Sequence, residues 1–298
     1  MELSVVVPTH NQAQLLEACL RSLKQQTVGV GAYEIVVVDD ASTDKTPDVI
    51  ARPAGPVKIA SIRFPSNRGR SAARNAGIAT VSAPLIVFVD SDVVVETDFL
   101  QWHLSTHRRF GPGILCRGPV VLVHDLSAVP NGKRPVRASS PAYLDTANAS
   151  VQKAALEQAG RFDERFPGYG WEDFELGLRL KCAGIRRVFC PSAVAYHVQP
   201  LTKLESVERL LQKETERARS AVYFLRKHPS LETRLLIQAT PLHRGLYWLL
   251  SGGGRLTPKA AFSLARRAGD RGIPQLSSLI LRLALNWQYA EFLRAEME

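Results

Sequence analysis

Residues 1–200 alternate between short apolar runs and segments with a helical period. The runs are apolar at consecutive positions and rich in β-branched residues, which is typical of strands buried on both faces of a parallel sheet. Helices between such strands cover the sheet on both sides. We therefore predict an α/β fold with a mostly parallel sheet flanked by helices. The predicted strands are Leu3–Val7, Glu34–Val38, Val57–Phe64, Leu85–Val89, Ile114–Val123, Ala142–Thr146 and Ala193–Tyr196.

The helices between these strands are recognised by apolar positions that return to one face, as Leu16, Leu20 and Leu23 do. From Lys203 onward the strand pattern ends and only helical periodicity continues. We therefore predict a sheet domain at 1–202 and a helical region at 203–298. The other predicted helices of the first domain are Ser42–Ile50, Gly69–Ala79, Val151–Ala159 and Glu172–Ala183, and the predicted breaks in the helical region are His228–Pro229, Pro241, Gly252–Gly254 and Gly272–Pro274.

The composition is typical of a soluble globular protein. The chain of 298 residues is 45% hydrophobic and 22% charged, which excludes intrinsic disorder. No uncharged apolar run reaches the length of about 18 residues that a membrane span needs. The first residues, MELSVVVPTH, lack the basic start of a secretory signal, and the four cysteines form no CxxC pair. We therefore expect a cytoplasmic protein with reduced thiols.

The positive charge is concentrated in the helical region. Residues 201–298 contain 16 Lys and Arg against 9 Asp and Glu, while the whole chain has a net charge of +10. Such a segment suits an anionic partner, namely phosphate esters, a membrane surface or nucleic acid, and a solvated helical face is the alternative. The last helical pattern also has an apolar stripe with nearby arginines, which predicts either peripheral membrane contact or packing on the sheet domain. The stripe consists of Leu276, Ile280, Leu283 and Trp287, with Arg282 and Arg294 beside it.

Polar residues follow four predicted strands, where ligands of open α/β sheets bind. Asp90 and Asp92 come directly after an apolar strand, and alternating carboxylates there suit a hard divalent cation that also holds a diphosphate. The alternative is a turn in which Asp90 caps the next helix. His197 follows a later strand and is either a metal ligand or a structural histidine. The other strand-end clusters are Pro8–Asn11 and Asp39–Ser42.

Two helix starts have the composition of binding or catalytic segments. The segment NRGRSAARN places Arg68 and Arg74 around a helix start, where they hold phosphate or a base edge, or form a solvated basic face. Glu172 and Asp173 open another helix, either as favourable first-turn acids or with one carboxylate acting as general base. We expect the helix N-terminus to keep Asp173 ionised. The preceding FPGYGW has aromatic rings that pack against sugars or in a core.

The sequence lacks GxxxxGK[ST], GxGxxG, GxSxG and HExxH motifs, which argues against P-loop, dinucleotide-binding and common hydrolase sites. It resembles the inverting family-2 glycosyltransferases of the GT-A (nucleotide-diphospho-sugar transferase) fold over about residues 3–200. The segment GYGWEDFELGLRL also resembles galactosyltransferase and chondroitin-polymerase type enzymes. The motifs that carry the resemblance occur in the family's order and are PTHN, VVVDDAST, NRGRSAARNAG, FVDSD, GRFDERFPGYGWEDFELGLRL and AYHV.

The resemblance implies a nucleotide-sugar half at about 1–95 and an acceptor half at about 96–202. Asp39 and Asp40 would meet uracil and ribose, and Asp90 the ribose or sugar. Asp173 would be the base, and Glu172 would bind sugar hydroxyls. His10 stands where the family commonly has tyrosine, which alters stacking on the base. The remaining implied assignments are Pro8, Thr9, His10, Asn11, Arg68, Ser71, Arg74 and Ser91 for the nucleotide and donor, Asp92 and His197 for the metal, and Tyr169, Gly170 and Trp171 for the acceptor side.

The implied activity is a metal-dependent (Mn²⁺ or Mg²⁺) inverting transfer from a UDP-linked sugar to a saccharide or lipid-linked acceptor, with His124–Pro141 closing over the donor. An aspartate at position 173, where related retaining enzymes have asparagine, favours inversion. The alternatives are a retaining transferase, a nucleotidyltransferase, or a nucleic-acid-binding protein. No RNA- or DNA-binding motif supports the last of these, so no nucleic-acid partner is expected.

Overall fold

The computed structural model describes residues 1–52, 55–129, 142–199 and 207–297. The chain divides into two compact units. The first contains Met1–Glu164 and Glu172–Leu201, and the second contains Arg165–Trp171 and Thr202–Glu298. The loop Arg165–Trp171, which the sequence analysis places with the sheet, therefore groups with the C-terminal helices. Most of the predicted closing loop at 124–141 lies outside the described residues.

The first unit is built on two sheets. Its strands are β1 (Leu3–Thr9), β2 (Tyr33–Asp39), β3 (Lys58–Arg63), β4 (Leu85–Phe88), β5 (Val93–Val95), β6 (Ile114–Arg117), β7 (Val120–Val123), β8 (Ala149–Gln152), β9 (Arg186–Phe189) and β10 (Ala195–Val198). In the described part of the chain, the larger sheet has the order β3-β2-β1-β4-β8-β6-β9 and the smaller one β5-β10-β7. In the larger sheet only β8 runs antiparallel to its neighbours. The predicted mostly parallel sheet is confirmed.

Helices cover both faces of the larger sheet. They are α1 (Ala13–Lys24), α2 (Thr46–Ile50), α3 (Arg70–Thr80), α4 (Phe99–Phe110), α5 (Lys153–Ala159) and α6 (Glu172–Cys182). Val5 and Val7 of β1 belong to the core that contains α1, whereas Val6 belongs to the core that contains α3. This follows from the alternation of side chains along a strand. At Gly77 a Cβ atom would overlap Val6, so glycine lets α3 approach β1 closely.

The acceptor half differs most from the sequence analysis. The predicted strand Ala142–Thr146 is wrong, because Asp145 Oδ1 accepts from Ala147 N (3.2 Å) and folds this segment into a turn before β8. The predicted strand Ile114–Val123 divides into β6 and β7, which belong to different sheets. The sequence analysis missed β5, α4, β8 and β9. The predicted helix Val151–Ala159 begins two residues too early, because Val151 and Gln152 belong to β8. In α4, the polar residues His103 and His107 are buried against Ser150, which hides the helical apolar face.

The second unit is helical, as predicted, and its helices begin and end at the predicted breaks. Three caps fix the starts: Ser230 Oγ accepts from Thr233 N (3.1 Å), and Thr240 and Thr257 act likewise. No helix within the described ranges combines the length and hydropathy of a membrane span. The helices are α7 (Val207–Lys227), α8 (Leu231–Leu236), α9 (Pro241–Leu250), α10 (Pro258–Asp270) and α11 (Pro274–Met297).

Candidate active site

The strand order places a crevice beyond the end of β1. The chain winds from β1 to β2 and β3 on one side, and β4 returns to the other side of β1. Ligands of open α/β sheets bind at such a switch point. The loops after β1 and β4 meet there, because Gln12 Nε2 lies 3.5 Å from Asp92 Oδ2 and Ser91 Oγ donates to Gln12 Oε1. Gln12 was not among the predicted site residues.

Asn11 joins the loop after β1 to the loop after β2. Its backbone has a positive φ of 53°, which asparagine tolerates better than most residues. Its Oδ1 accepts from the backbone of Thr43 (2.8 Å) and Asp44 (3.3 Å), and its N–H donates to Ser42 Oγ (2.9 Å). Asn11 therefore shapes the rim of the crevice through its contacts with neighbouring backbone.

Thr9 and Asp39 are register partners at the ends of β1 and β2. Asp39 Oδ1 accepts from Ser42 N (2.9 Å), and Arg63 Nε lies 3.4 Å from Oδ2. Within the described residues, the buried Thr9 Oγ1 and Asp39 Oδ2 have no hydrogen-bond partner. Pro8 precedes Thr9 in β1, and as a proline it has no backbone N–H. The two strand ends thus offer a hydroxyl and a carboxylate oxygen to a ligand.

Asp40 holds the entry to α3. Its two oxygens accept from the backbone N–H groups of Arg68 (2.7 Å) and Gly69 (2.9 Å), and His10 Nδ1 lies 2.6 Å from its carbonyl oxygen. The Arg68 side chain pairs with Glu164 at 3.3 Å. Asp40 and His10 therefore connect the β2 loop to its neighbours on both sides. Their predicted contacts with the nucleotide remain predictions.

A buried arginine joins the loop after β4 to the start of α6. Arg74 is only 3% exposed; its Nη2 donates to Asp90 Oδ1 (2.9 Å) and its Nη1 to Glu172 Oε1 (3.0 Å). Its guanidinium also lies over the Phe162 ring at 5.5 Å, and Ser71 is buried one turn earlier. Burial opposes ionisation of Asp90, but Arg74 outweighs this and lowers the pKa of that carboxyl. Asp90 is followed by β5, so the alternative in which it caps a helix is wrong.

The two predicted metal ligands are adjacent. β10 pairs with β5, which places His197 opposite Val93, and His197 Nε2 lies 3.1 Å from Asp92 Oδ2. Burial lowers the pKa of His197, but the hydrogen bond to Asp92 and the surrounding carboxylates raise it overall. No group of three or more His, Cys, Asp or Glu arranged for a metal ion occurs among the described residues. The protein thus offers one carboxylate and one imidazole side by side.

Asp173 lies half-buried in the first turn of α6, beside other carboxyl groups. Burial and the charges of Glu172 and Asp145 raise its pKa well above the usual value, and the nearby charge of Arg74 offsets this only in part. Burial and like charges therefore act against the helix N-terminus, which the sequence analysis expected to favour the ionised form of Asp173. A carboxyl with a raised pKa suits proton abstraction near neutral pH.

Asp145 is a site residue that the sequence analysis missed. Its Oδ2 lies 3.3 Å from Nη2 of the buried Arg117, and its charge acts on Asp173, Asp90 and His197. Burial raises the pKa of Asp145, and Arg117 opposes that effect. The sequence analysis placed Asp145 in a strand, although Asp145 and the nearby Asn148 are residue types that favour turns.

The predicted acceptor-side residues belong to the second unit. Trp171 is buried there; its Nε1 donates to Arg217 O (3.0 Å) and its ring lies under the Arg217 guanidinium. The Tyr169 ring faces Lys213 Nζ at 4.3 Å. Gly170 and Trp171 both have positive φ, 88° and 74°, which is costly for tryptophan. Strained backbone thus precedes Glu172 directly, and the acceptor role of these residues stays a prediction.

Comparisons with known proteins show what this chain is similar to. Residues 4–131 match the model of glycosyl transferase family 2. Validoxylamine A glucosyltransferase of Streptomyces hygroscopicus subsp. jinggangensis is 30% identical over 282 residues, covering 82% of this chain and 65% of the relative. The chain therefore spans a little under two thirds of that relative's length.

Two solved structures share the fold. A Pyrobaculum calidifontis mannosyltransferase, in complex with GDP-Man and Mn²⁺, has a TM-score of 0.60 at 19% identity, covering 96% of this chain and 86% of its own. S. aureus TarS 1–349, in complex with UDP, has a TM-score of 0.56 at 17% identity, covering 99% and 92%. With the motifs and the strand order, these matches identify residues 4–131 as a glycosyl transferase family 2 domain and show that the chain has the GT-A fold.

Proposed function

We propose that this chain transfers a sugar from a UDP-linked donor to an acceptor hydroxyl, with inversion at the anomeric carbon and with the help of a divalent cation. The observation that carries the proposal is the acidic cluster at the switch point, where Arg74 joins Asp90 to Glu172 beside Asp173. Family membership supports glycosyl transfer as the reaction. The acceptor is a saccharide or a lipid-linked saccharide, and validoxylamine A is a test acceptor that the relative's name suggests.

The nucleotide is assigned to the ends of β1 and β2. Thr9 Oγ1 and Asp39 Oδ2 are buried and lack hydrogen-bond partners among the described residues. A pyrimidine edge with an N–H donor and a carbonyl acceptor satisfies both groups. TarS has been solved with UDP and with UDP-GlcNAc, which supports uracil, and the GDP-Man complex of the mannosyltransferase makes guanine the alternative that the donor panel tests.

The cation is assigned to Asp92 and His197. Asp92 and His197, whose side chains are 3.1 Å apart and partly exposed, would hold Mn²⁺ or Mg²⁺. When bound, such a cation neutralises charge that develops on the departing diphosphate. The residues that surround it act on the sugar and the acceptor.

The acceptor hydroxyl is activated by Asp173. Its carboxylate takes the proton as the hydroxyl oxygen attacks the anomeric carbon from the face opposite the nucleoside diphosphate. Glu172 pairs with Arg74 through its Oε1 (3.0 Å) and orients hydroxyl groups of the bound sugar. A carboxylate base with no covalent intermediate inverts the anomeric configuration.

The activity is tested with the purified chain, UDP-glucose, UDP-GlcNAc and GDP-mannose, and a panel of acceptors that includes validoxylamine A. We expect UDP release with one of the UDP-sugars and a product of opposite anomeric configuration by NMR. Retention of configuration would point to a retaining transferase. Release of pyrophosphate would point to a nucleotidyltransferase.

Removal of the cation is expected to weaken donor binding. With Mn²⁺ and a UDP-sugar at 100 times its dissociation constant, the donor stabilises the protein by about 2.7 kcal/mol, and chelation should remove most of this. Asp92→Ala should lose the metal-dependent part of the stabilisation, measured by thermal shift and calorimetry. Asp48→Ala, an exposed carboxylate on α2, should keep it. Equally tight UDP binding in excess chelator would contradict the assignment.

Replacing Asp145 with Asn is expected to extend activity to lower pH. The Asp145 charge helps to raise the pKa of Asp173, and Asp173 must be deprotonated to act as base. Removing that charge lowers the pKa of Asp173, so the acidic limb of kcat/KM moves to lower pH. The pH profiles of the wild type and of Asp145→Asn decide this, and a limb that stays in place would separate Asp145 from the base.

A further inference from the structure

Helix α9 turns an apolar face toward solvent. Leu242, Leu246 and Leu249 follow each other at helical spacing and share one face, and Leu242 and Leu249 are 80% and 68% exposed. The helix is anchored from its other side, where Tyr247 is buried and donates from its hydroxyl to Gln238 Oε1 (2.6 Å). A surface helix of a globular protein normally has its apolar face inward. Here the anchored orientation leaves three leucines outward.

Other large apolar side chains of α8 and α9 are also exposed. Trp248 and Leu250 of α9 are also exposed, at 52% and 47%. The preceding helix α8 exposes Leu231 and Leu235, which are four positions apart and share a face. Exposed large apolar residues thus recur through the segment 231–250, more than isolated surface leucines would give.

The apolar helices lie within the most basic part of the chain. Residues 226–282 contain 10 Lys and Arg but only 2 Asp and Glu. Most of these cations are exposed to solvent, as the leucines are. The exposed ones are Arg226, Arg234, Arg244, Arg255, Lys259, Arg266, Arg267, Arg271 and Arg282.

The combination of exposed leucines and exposed cations favours anionic lipid as the binding partner. A second copy of the chain would bring the same basic surface against itself, and like charges would repel. Nucleic acid would use the cations but would leave the leucines exposed to water. Anionic lipid satisfies both features, because head groups pair with Arg and Lys while apolar side chains enter the boundary with the acyl chains.

We propose that α9 inserts its face of Leu242, Leu246 and Leu249 into the surface of an anionic bilayer, with the surrounding arginines and lysines binding the lipid head groups. This goes beyond the proposed transfer reaction and does not depend on it.

The proposal also changes the element to which membrane contact is assigned. The sequence analysis considered the stripe of α11, but that helix packs within its own unit. Trp287 lies against Gly254, and Tyr289 is buried with its hydroxyl donating to Ile237 O (2.9 Å). Among the described side chains of α11, Leu276 and Leu279 near its start are exposed, at 43% and 52%, but Leu279 does not belong to the predicted stripe.

The test is flotation of the full chain with vesicles of phosphatidylcholine that contain about 30 mol% phosphatidylglycerol, at low salt. We expect the wild type to float with these vesicles and not with phosphatidylcholine alone. Salt at about 0.5 M should release it by screening. The double variant Leu246→Ser/Leu249→Ser should float at least about tenfold less, because its apolar insertion is removed. Its melting temperature should match the wild type, since both side chains are exposed.

The matched control is Leu122→Ser in the first unit, since Leu122 and Leu246 are both 47% exposed. This variant should float like the wild type. Quenching of tryptophan emission by brominated lipid should be reduced in Trp248→Phe. Failure of the wild type to float at low salt would overturn the proposal, as would wild-type flotation of the double variant. Sedimentation that shows a dimer lost in the double variant, without lipid binding, would assign the face to a second copy instead.

Discussion

Replacing Asp173 with Asn should lower the single-turnover rate of glycosyl transfer by about two to four orders of magnitude, the usual effect of losing a general base. Asparagine keeps the shape and can still accept the hydrogen bond from Phe174 N, 2.8 Å in the wild type. It cannot take a proton from the acceptor. Donor affinity should change little, because the groups assigned to the nucleotide and cation are untouched. Rapid-quench assays and calorimetry measure the two quantities.

The melting temperature of the same variant separates a catalytic role from a structural one. The pKa of Asp173 is raised in the folded protein, so its ionised form opposes folding at pH values above that pKa. Asparagine removes this repulsion from Glu172 and Asp145, so the variant should be at least as stable as the wild type at pH 8. The difference should shrink as the pH falls through the pKa of Asp173 in the folded protein, because the carboxyl then becomes protonated. Asp48→Asn on α2 is the exposed control, and a fully active Asp173→Asn would exclude Asp173 from the mechanism.

Replacing Arg74 with Met should lower the free energy of unfolding by about 3–5 kcal/mol at neutral pH, the range for removing one partner of a buried ion pair. Methionine fills most of the space but leaves Asp90 and Glu172 without their shared cation. Because Arg74 depresses the pKa of Asp90, its stabilisation is present above the unfolded pKa and fades as pH falls through the folded pKa. The loss should therefore be smaller below about pH 4. Urea unfolding at several pH values measures it.

Arg68→Met is the matched control. Arg68 begins the same segment and also pairs with a glutamate, but Arg68 and Glu164 are both largely exposed. Such surface pairs contribute about 0–1 kcal/mol. Equal losses in the two variants would show that the Arg74 network is screened by solvent like the surface pair.

Much of the nucleotide half could be predicted from the sequence. Strands such as β1 and β2 are buried on both faces and therefore appear as continuous apolar runs. Polar residues directly after them must lie at the sheet's ligand-binding edge. Asp92 and His197 were likewise predicted to lie together. That prediction rested on the resemblance to the family, because the two residues are far apart in the chain.

The acceptor half was harder because its signals are mixed. β9 is short and exposed and contains Arg186 and Arg187, so no apolar run marks it. The turn at Asp145 is followed by small residues that resemble a strand start. The use of Asp40 to hold the N–H groups of Arg68 and Gly69 depends on a tertiary contact that no local pattern encodes.

The contact between Arg74 and Glu172 joins residues 98 positions apart, whereas Arg74 and Asp90 are only 16 apart. Closing the longer loop costs more chain entropy before the contact forms, so we expect α6 to join the site after the contact between Arg74 and Asp90 has formed. On the ribosome, β1 to β4 and Arg74 emerge well before Glu172 is synthesised. Until Glu172 is in place, the charge of Arg74 is balanced only in part, by Asp90. Vectorial synthesis therefore makes the arrival of α6 the event that completes both the charge balance and the proposed catalytic centre.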